Sequence, residues 1–181
     1  QDIRSQLDAL AARVPSDLDL AVKVKVLNRV FFEEQGFAGN AQDYYDYHNS
    51  LLDSALERKT AIPITLAIVY KIVAQRVGIH VDRVGLPGHI VVGVPALEQY
   101  IDVFHQGRVL HVPDLEAIVG SYGIRFQSIF LTPLQPSQVL RRVCNNLQNQ
   151  HGGNQDAAYF RSVMIRLMTS LLDGRNHTLL G

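Results

Sequence analysis

The chain has 181 residues, of which 47% are hydrophobic and 19% charged. That balance fits one globular domain, or one domain with a small appendage, built around a real core. Seventeen basic residues offset seventeen acidic ones, so there is no cationic surface of the kind that tracks phosphates, which argues against nucleic acid as a partner.

The single cysteine, Cys144, excludes a disulfide framework and fits a reducing cytoplasm. No apolar run reaches membrane-spanning length, so no membrane association is expected, and the polar first residues carry no secretory signal.

In chain order, Ile3, Leu7, Leu10 and Val14 recur at helical spacing, and Pro15 ends that helix. A second helix is predicted from Ser16, with Asp19 as its capping-box acid, and Gly36 as its stop. A Gly/Asn/Asp-rich loop carries three tyrosines, Tyr44, Tyr45 and Tyr47, unusual for a plain linker. Ser50 and Asp53 predict another capping box, opening a short helix to about Lys59. From Pro63 to Val77, Ile64, Leu66, Ala67, Ile68, Val69, Ile72, Val73 and Ala74 leave almost no polar face. Pro63 suits a first helical turn and Gly78 a stop, and a helix without a polar face belongs in the middle of a domain.

Four strands are predicted next: 81–84, 90–94, 100–104 and 108–111. Their connections are too short for helical crossovers, so the sheet is expected to be antiparallel. A short helix near Pro113, a longer one from Pro136 to about Gln148, and a last one from Asp156 to Leu172 complete the reading. The whole is an α+β fold with a central buried helix packed on an antiparallel sheet. Its organisation is an N-terminal helical part (1–35), a core (36–135) and C-terminal helices (136–181).

The hairpin GLPGHIVVGVPALEQYIDVF carries a histidine on one apolar strand and an aspartate on the other. If the loop is symmetric about Pro95 and Ala96, His89 and Asp102 sit directly opposite, on one face, with Cβ atoms about 5 Å apart. A carboxylate on one ring nitrogen orients a general base, though the same pair also serves as a purely structural hydrogen bond. Pro87 and Gly88 fix where the histidine enters its strand.

The nucleophile is the open question. Cys144 shares an apolar helical stripe with Val139, Leu140, Val143 and Leu147 and reads as a structural cysteine. Thr65, in the first turn of the central helix, has a hydroxyl where helix N-termini favour negative charge, or one that merely bonds local backbone. Asp102, His105 and His111 match no metal-binding spacing, and strand alternation is expected to scatter them, so no metal or other cofactor is predicted.

The order of these parts resembles the transglutaminase-like proteins, which share a papain-type arrangement of helix against sheet. More narrowly it resembles the SirB family, through GFAGN, YYDYHNSLL, LERKTAIPITL, VYKIVAQRVGI, VGLPGHIVVGV and YIDVFHQGRVL, in order from Gly36 to Leu110. LTPLQPSQVLRRVCNNL continues the likeness. The chain departs from the family at Ala61, where Gly is usual, at Ile90, where Phe follows the histidine, and at Val103, where Pro is usual. The resemblance implies that the cysteine of the active superfamily members, expected at the start of the central helix, is missing between Ile62 and Leu66. It also implies a possible continuation into tetratricopeptide-like helices.

Two functions follow. One is a non-catalytic module binding a protein or peptide, with Tyr44, Tyr45, Asn49, Pro63, Pro87, Gly88 and Phe104 around the cleft. The other is a hydrolase or acyltransferase using Thr65 with His89 and Asp102.

Overall fold

The computed structural model describes residues 2–150. The helix predicted from Asp156 to Leu172, and any tetratricopeptide-like continuation, lie outside the described residues. Among the described residues, six α-helices and six strands alternate with short 3₁₀ turns. They are helices α1 (Ile3–Ala11), α2 (Leu20–Asn28), α3 (Leu52–Arg58), α4 (Pro63–Arg76), α5 (Val112–Ser121) and α6 (Pro136–Gln150). The strands are β1 (Ala38–Gly39), β2 (Thr60–Ala61), β3 (Asp82–Leu86), β4 (His89–Val94), β5 (Gln99–Asp102) and β6 (Arg108–Leu110).

Helix α4 is the centre. Pro63 occupies its first turn, where a missing N–H costs nothing and φ is preset. Nine of its fourteen residues are buried, as a largely apolar helix requires, while Gln75 and Arg76 remain exposed. The one large polar side chain among them, Tyr70, is fully buried and donates its hydroxyl to Asn28 Oδ1 at 2.7 Å, so its desolvation is compensated. Around Tyr70 pack Phe31 and Phe32, and Phe31 stacks on Phe37. Phe31 and Phe32 belong to a π-helical turn, Arg29–Glu34, that continues α2; its wider winding brings Val30, Phe31 and Phe32 all into the core. The N-terminal helices contribute Leu7, Leu10, Val24 and Leu27 to the same core as α4.

The four-stranded sheet has the order β3-β4-β5-β6 and is antiparallel throughout. Both its faces are covered. Ile90, Val92, Val94 and Ile101 join the core around α4, whereas Val84, Leu86, Val91 and Leu110 pack with Leu115 and Val119 of α5. A strand buried on both faces reads as a continuous apolar run, which is why His-Ile-Val-Val-Gly-Val shows no polar alternation.

Three local expectations are corrected. Asp19 is itself the N-cap of α2, its carboxylate accepting from the N–H groups of Ala21 and Val22 at 3.0 and 3.2 Å. A carboxylate one turn closer to the helix outcompetes Ser16. At α3 the N-cap is Leu51, with no side-chain cap, and Asp53 accepts from the neighbouring Ser54 N–H. The tyrosine loop is entered through a short parallel pairing of β1 with β2 that the sequence reading lacked, because two-residue strands leave no periodicity to read.

Removing bulk from α4 leaves a cavity that rigid neighbours on both sides cannot close. Leu66, with no exposed surface, is therefore expected to cost about 2–5 kcal/mol when changed to Ala, measured as a lowered urea midpoint at unchanged slope.

Candidate functional site

The hairpin places the histidine and the aspartate by a route other than the one expected. A two-residue loop at Pro95 and Ala96 would set Val94 opposite Leu97; the structure pairs Val94 with Gln99. A 3₁₀ turn at Pro95–Leu97 and a left-handed Glu98 (φ 50°) lengthen the loop to four residues. The register therefore slips by two. A slip of two preserves the face while a slip of one would reverse it, so His89 and Asp102 become diagonal neighbours on one face, and His89 Nε2 lies 3.0 Å from Asp102 Oδ2.

Asp102 is the polar hub of the molecule, 3% exposed. Its Oδ1 accepts the backbone N–H groups of Phe104 and His105 at 3.1 and 3.2 Å. Its Oδ2 also faces His105 Nδ1 at 2.8 Å. Burial would push the carboxyl up, but hydrogen bonds and charge from His89 and His105 outweigh it and hold it at about 2. An ionised carboxylate only accepts, so His89 donates through Nε2 and His105 through Nδ1. That leaves His89 Nδ1 and His105 Nε2 as the ring nitrogens available for chemistry.

His105 was expected to scatter away from Asp102 by strand alternation. It does not, because β5 ends at Asp102 and His105 lies in the turn that follows, where alternation no longer applies. His111 is instead the N-cap of α5. The potential ligand atoms of His89, Asp102 and His105 lie within 4.8 Å of one another, a donor set that suits a late first-row divalent ion. A tetrahedral ion would draw its ligands to about 3.3 Å apart, from metal–ligand bonds of about 2.0–2.1 Å. Here both imidazoles aim at one carboxylate oxygen, which is the geometry of a hydrogen-bonded triad.

Thr65 is 2% exposed, and its Oγ1 is buried without a hydrogen-bond partner. It is neither engaged by His89 nor tied back to its own helix. Strand phase is consistent with this: His89 runs with Val91, whereas it is Ile90 and Val92 that meet the core around α4.

Beside His89 opens a cleft of about 250 Å³, to which α4 contributes Pro63 and Ile64, the tyrosine loop Tyr44, and α6 Arg142, Asn145 and Asn146. Gly88 and His89 form its hairpin wall. Pro87-Gly88, with Gly88 at φ 71°, has the signature of a type II turn. Any Cβ there would strike the ring of Tyr122, so glycine serves both the turn and a close approach. Tyr44 packs edge-to-face on Phe104 and on Tyr45, which is 69% exposed. Burial, then the neighbouring Tyr45 and Tyr122, push the Tyr44 hydroxyl up.

Asn49 has a different place from the rim. It is fully buried, donating from Nδ2 to the carbonyls of Asp43 and Tyr44 at 2.7 and 3.2 Å, and accepting from Asn40 Nδ2 at 3.0 Å. Its amide holds the tyrosine loop in shape. The residues that sequence reasoning missed are His105, Tyr122, Arg142, Asn145 and Asn146. The last three belong to a helix read only for its apolar stripe. A second groove, of about 670 Å³, lies elsewhere between the sheet and the segment around Leu131, lined by Asp82, Glu98, Tyr100 and His111. It is larger, but none of His89, Asp102 and His105 lines it.

Cys144 is buried on α6. No helix among the described residues is long and apolar enough to cross a membrane.

Comparison with known proteins gives a match to the transglutaminase-like superfamily over residues 1–145. A UPF0162 protein of Xylella fastidiosa (strain Temecula1) is 35% identical over 155 residues, covering 81% of this chain and 55% of its own. A UPF0162 protein of Pseudomonas aeruginosa is 28% identical over 154 residues, covering 81% and 56%. Human F-box only protein 21 is 28% identical over 131 residues, covering 67% of this chain and 20% of its own. The chain thus spans about half the length of the curated bacterial relatives it matches. No solved structure matches it.

Two outcomes follow from the geometry. Because folding lowers the Asp102 value from 3.8 to about 2, its ionised form adds stability that is complete above about pH 4 and vanishes as pH falls through about 2. The carboxyl carbon resonance of Asp102 should titrate near that value, and His105→Ala should raise it. Asn49→Ala strands two carbonyls and an amide, so a loss of about 2–3 kcal/mol and faster proteolysis between residues 40 and 48 are expected.

Proposed function

The chain belongs to the transglutaminase-like superfamily, and from that premise we propose that it is a non-catalytic module of the SirB type that binds a peptide or protein segment in the cleft beside His89. The observation that carries this is the state of Thr65. The chemistry of the scaffold requires a nucleophile at the start of the central helix, within reach of the histidine. Here the first turn carries Pro63, Ile64 and Thr65 and no thiol. The one hydroxyl present is enclosed and bonded to nothing.

Activation of a hydroxyl needs a base within about 3.2 Å of its proton, with some looseness before substrate arrives. A weak nucleophile with no bond to its base is a poor start for acyl transfer. In this reading the His89–Asp102–His105 array is architectural: it satisfies a buried carboxylate and stiffens the cleft wall. The exposed rings of Tyr44 and Tyr45 supply apolar area with polar tips, the composition of a peptide-binding rim. Further support comes from the F-box only protein, in which the matching segment is one fifth of a much longer chain, as suits a unit used as a module.

The alternative, a hydrolase or acyltransferase using Thr65 with His89 and Asp102, makes an opposite demand. Acyl-ester and peptide libraries are offered to the native protein and to His89→Ala. No turnover is expected from either, while the native protein should select peptides from a display library and Tyr44→Ala should weaken that selection. Turnover that disappears in a folded His89→Ala protein would reject the binding-only function.

A further inference from the structure

We infer that the cleft beside His89 recognises a carboxylate carried by its ligand, and that Arg142 of α6 is the group that binds it. The inference rests on the cleft being a ligand site, as proposed above, and adds the chemistry of what enters.

Arg142 is half-buried and lines the cleft. Its guanidinium lies across the backbone of β3: a Cβ at Gly85 would come within 2.8 Å of its Nη2, so the glycine is what lets the planar group lie there. Among the described residues it has neither a salt bridge nor a hydrogen bond, although ten ion pairs occur elsewhere. Its charge is destabilised first by burial and then by the neighbouring Arg141, the condition of a cation lacking its counter-ion.

The surroundings fit an anion. No acidic residue lines the cleft, and the nearby Asp102 carboxylate is already occupied by two imidazoles and two backbone N–H groups. Asn145 and Asn146 add amide donors on the same helix. Pro63 and Ile64 bring the start of α4 to the cleft. No side chain caps that helix; Pro63 has no N–H, so the first-turn donors without helical acceptors are those of Ile64 and Thr65, and the helix dipole adds positive potential. One guanidinium, with its fork of parallel donors, matches a planar carboxylate in a bidentate pair. A space of about 250 Å³ holds a group the size of one side chain, such as Glu or Asp within a peptide.

The test uses N-acetyl-glutamate α-amide and its isostere N-acetyl-glutamine α-amide as probes, with inorganic phosphate as a third, in NMR titrations of the ¹⁵N-labelled full chain. The carboxylate probe should produce saturable shifts centred on Gly88, Asn145 and Asn146, binding at least tenfold more tightly than the amide or phosphate. Arg142→Gln should reduce its affinity at least tenfold, and Arg141→Gln should leave it within twofold. Since Arg142 is half-buried, Asn145→Asp provides a second variant at an exposed position, expected to compete for the guanidinium and weaken binding similarly. Equal binding of the acid and the amide at the cleft would overturn the carboxylate preference while leaving the cleft a ligand site. Binding that survives both variants, tighter binding of phosphate, or no saturable shift with the carboxylate probe would overturn the inference as well.

Discussion

A fourteen-residue helix with nine buried residues cannot lie on a surface, and the rest of the fold follows from enclosing its apolar sides. The N-terminal helices cover one part of α4 and the four-stranded sheet another. Gln75 and Arg76 are exposed at the C-terminal end of α4, so the helix reaches the site through its other end. Its N-terminal end, at Pro63, reaches the cleft where the hairpin, the tyrosine loop and α6 converge. Burial of a helix and placement of a site are thus one constraint seen at two scales. The π-helical turn before the tyrosine loop serves the same end, bringing three consecutive apolar side chains into the core around the helix.

Against this apolar background stands Asp102. A carboxylate this enclosed has to be compensated fully, and four donors from two histidines and two backbone groups do so. The result is one rigid node joining β4, β5 and the turn after β5. Such a node can orient a catalytic base or simply brace a wall. Which of these it does depends on what faces the free ring nitrogen, and the hydroxyl of Thr65 has no bond to it. The molecule keeps the transglutaminase-like arrangement with a threonine and no thiol in the first turn of its central helix, and under the proposed binding function the node braces the wall of the cleft.

The cleft is asymmetric in charge. Its hairpin side presents a histidine committed to Asp102, and its α6 side presents a guanidinium with no partner among the described residues. Tyr44 lines it, with the ring of Tyr45 packed against Tyr44. Rigid aromatic contacts combined with one directional ionic contact give orientation as well as affinity, since the fork of an arginine selects planar acceptors. This pairing of features comes from segments about a hundred residues apart in sequence, Tyr44 and Arg142, which meet only because α6 packs over the 3₁₀ turn at Tyr47–Ser50 and over α4.

Much of this was legible in the sequence by itself. The largely apolar run after Pro63, interrupted only by Thr65, Lys71, Gln75 and Arg76, determined a largely buried helix. Turn residues and strand lengths determined an antiparallel sheet, and the period-two geometry of strands allowed His89 and Asp102 to share a face even though the loop was longer than supposed. A register shift of two residues leaves the face unchanged, so the pair shares a face with the longer loop as it would with a shorter one. Other features were decided by tertiary structure alone. His105 joins Asp102 because the strand ends at Asp102, two residues earlier than the predicted end at Phe104. Asn49 is a buried brace because its amide finds carbonyls that no spacing rule pairs with it. Arg142 becomes a cleft residue because a helix from the far end of the described chain packs beside the hairpin. Periodicity reports which face of an element is apolar, but a polar site is assembled from the edges of several elements, and those edges meet only through packing.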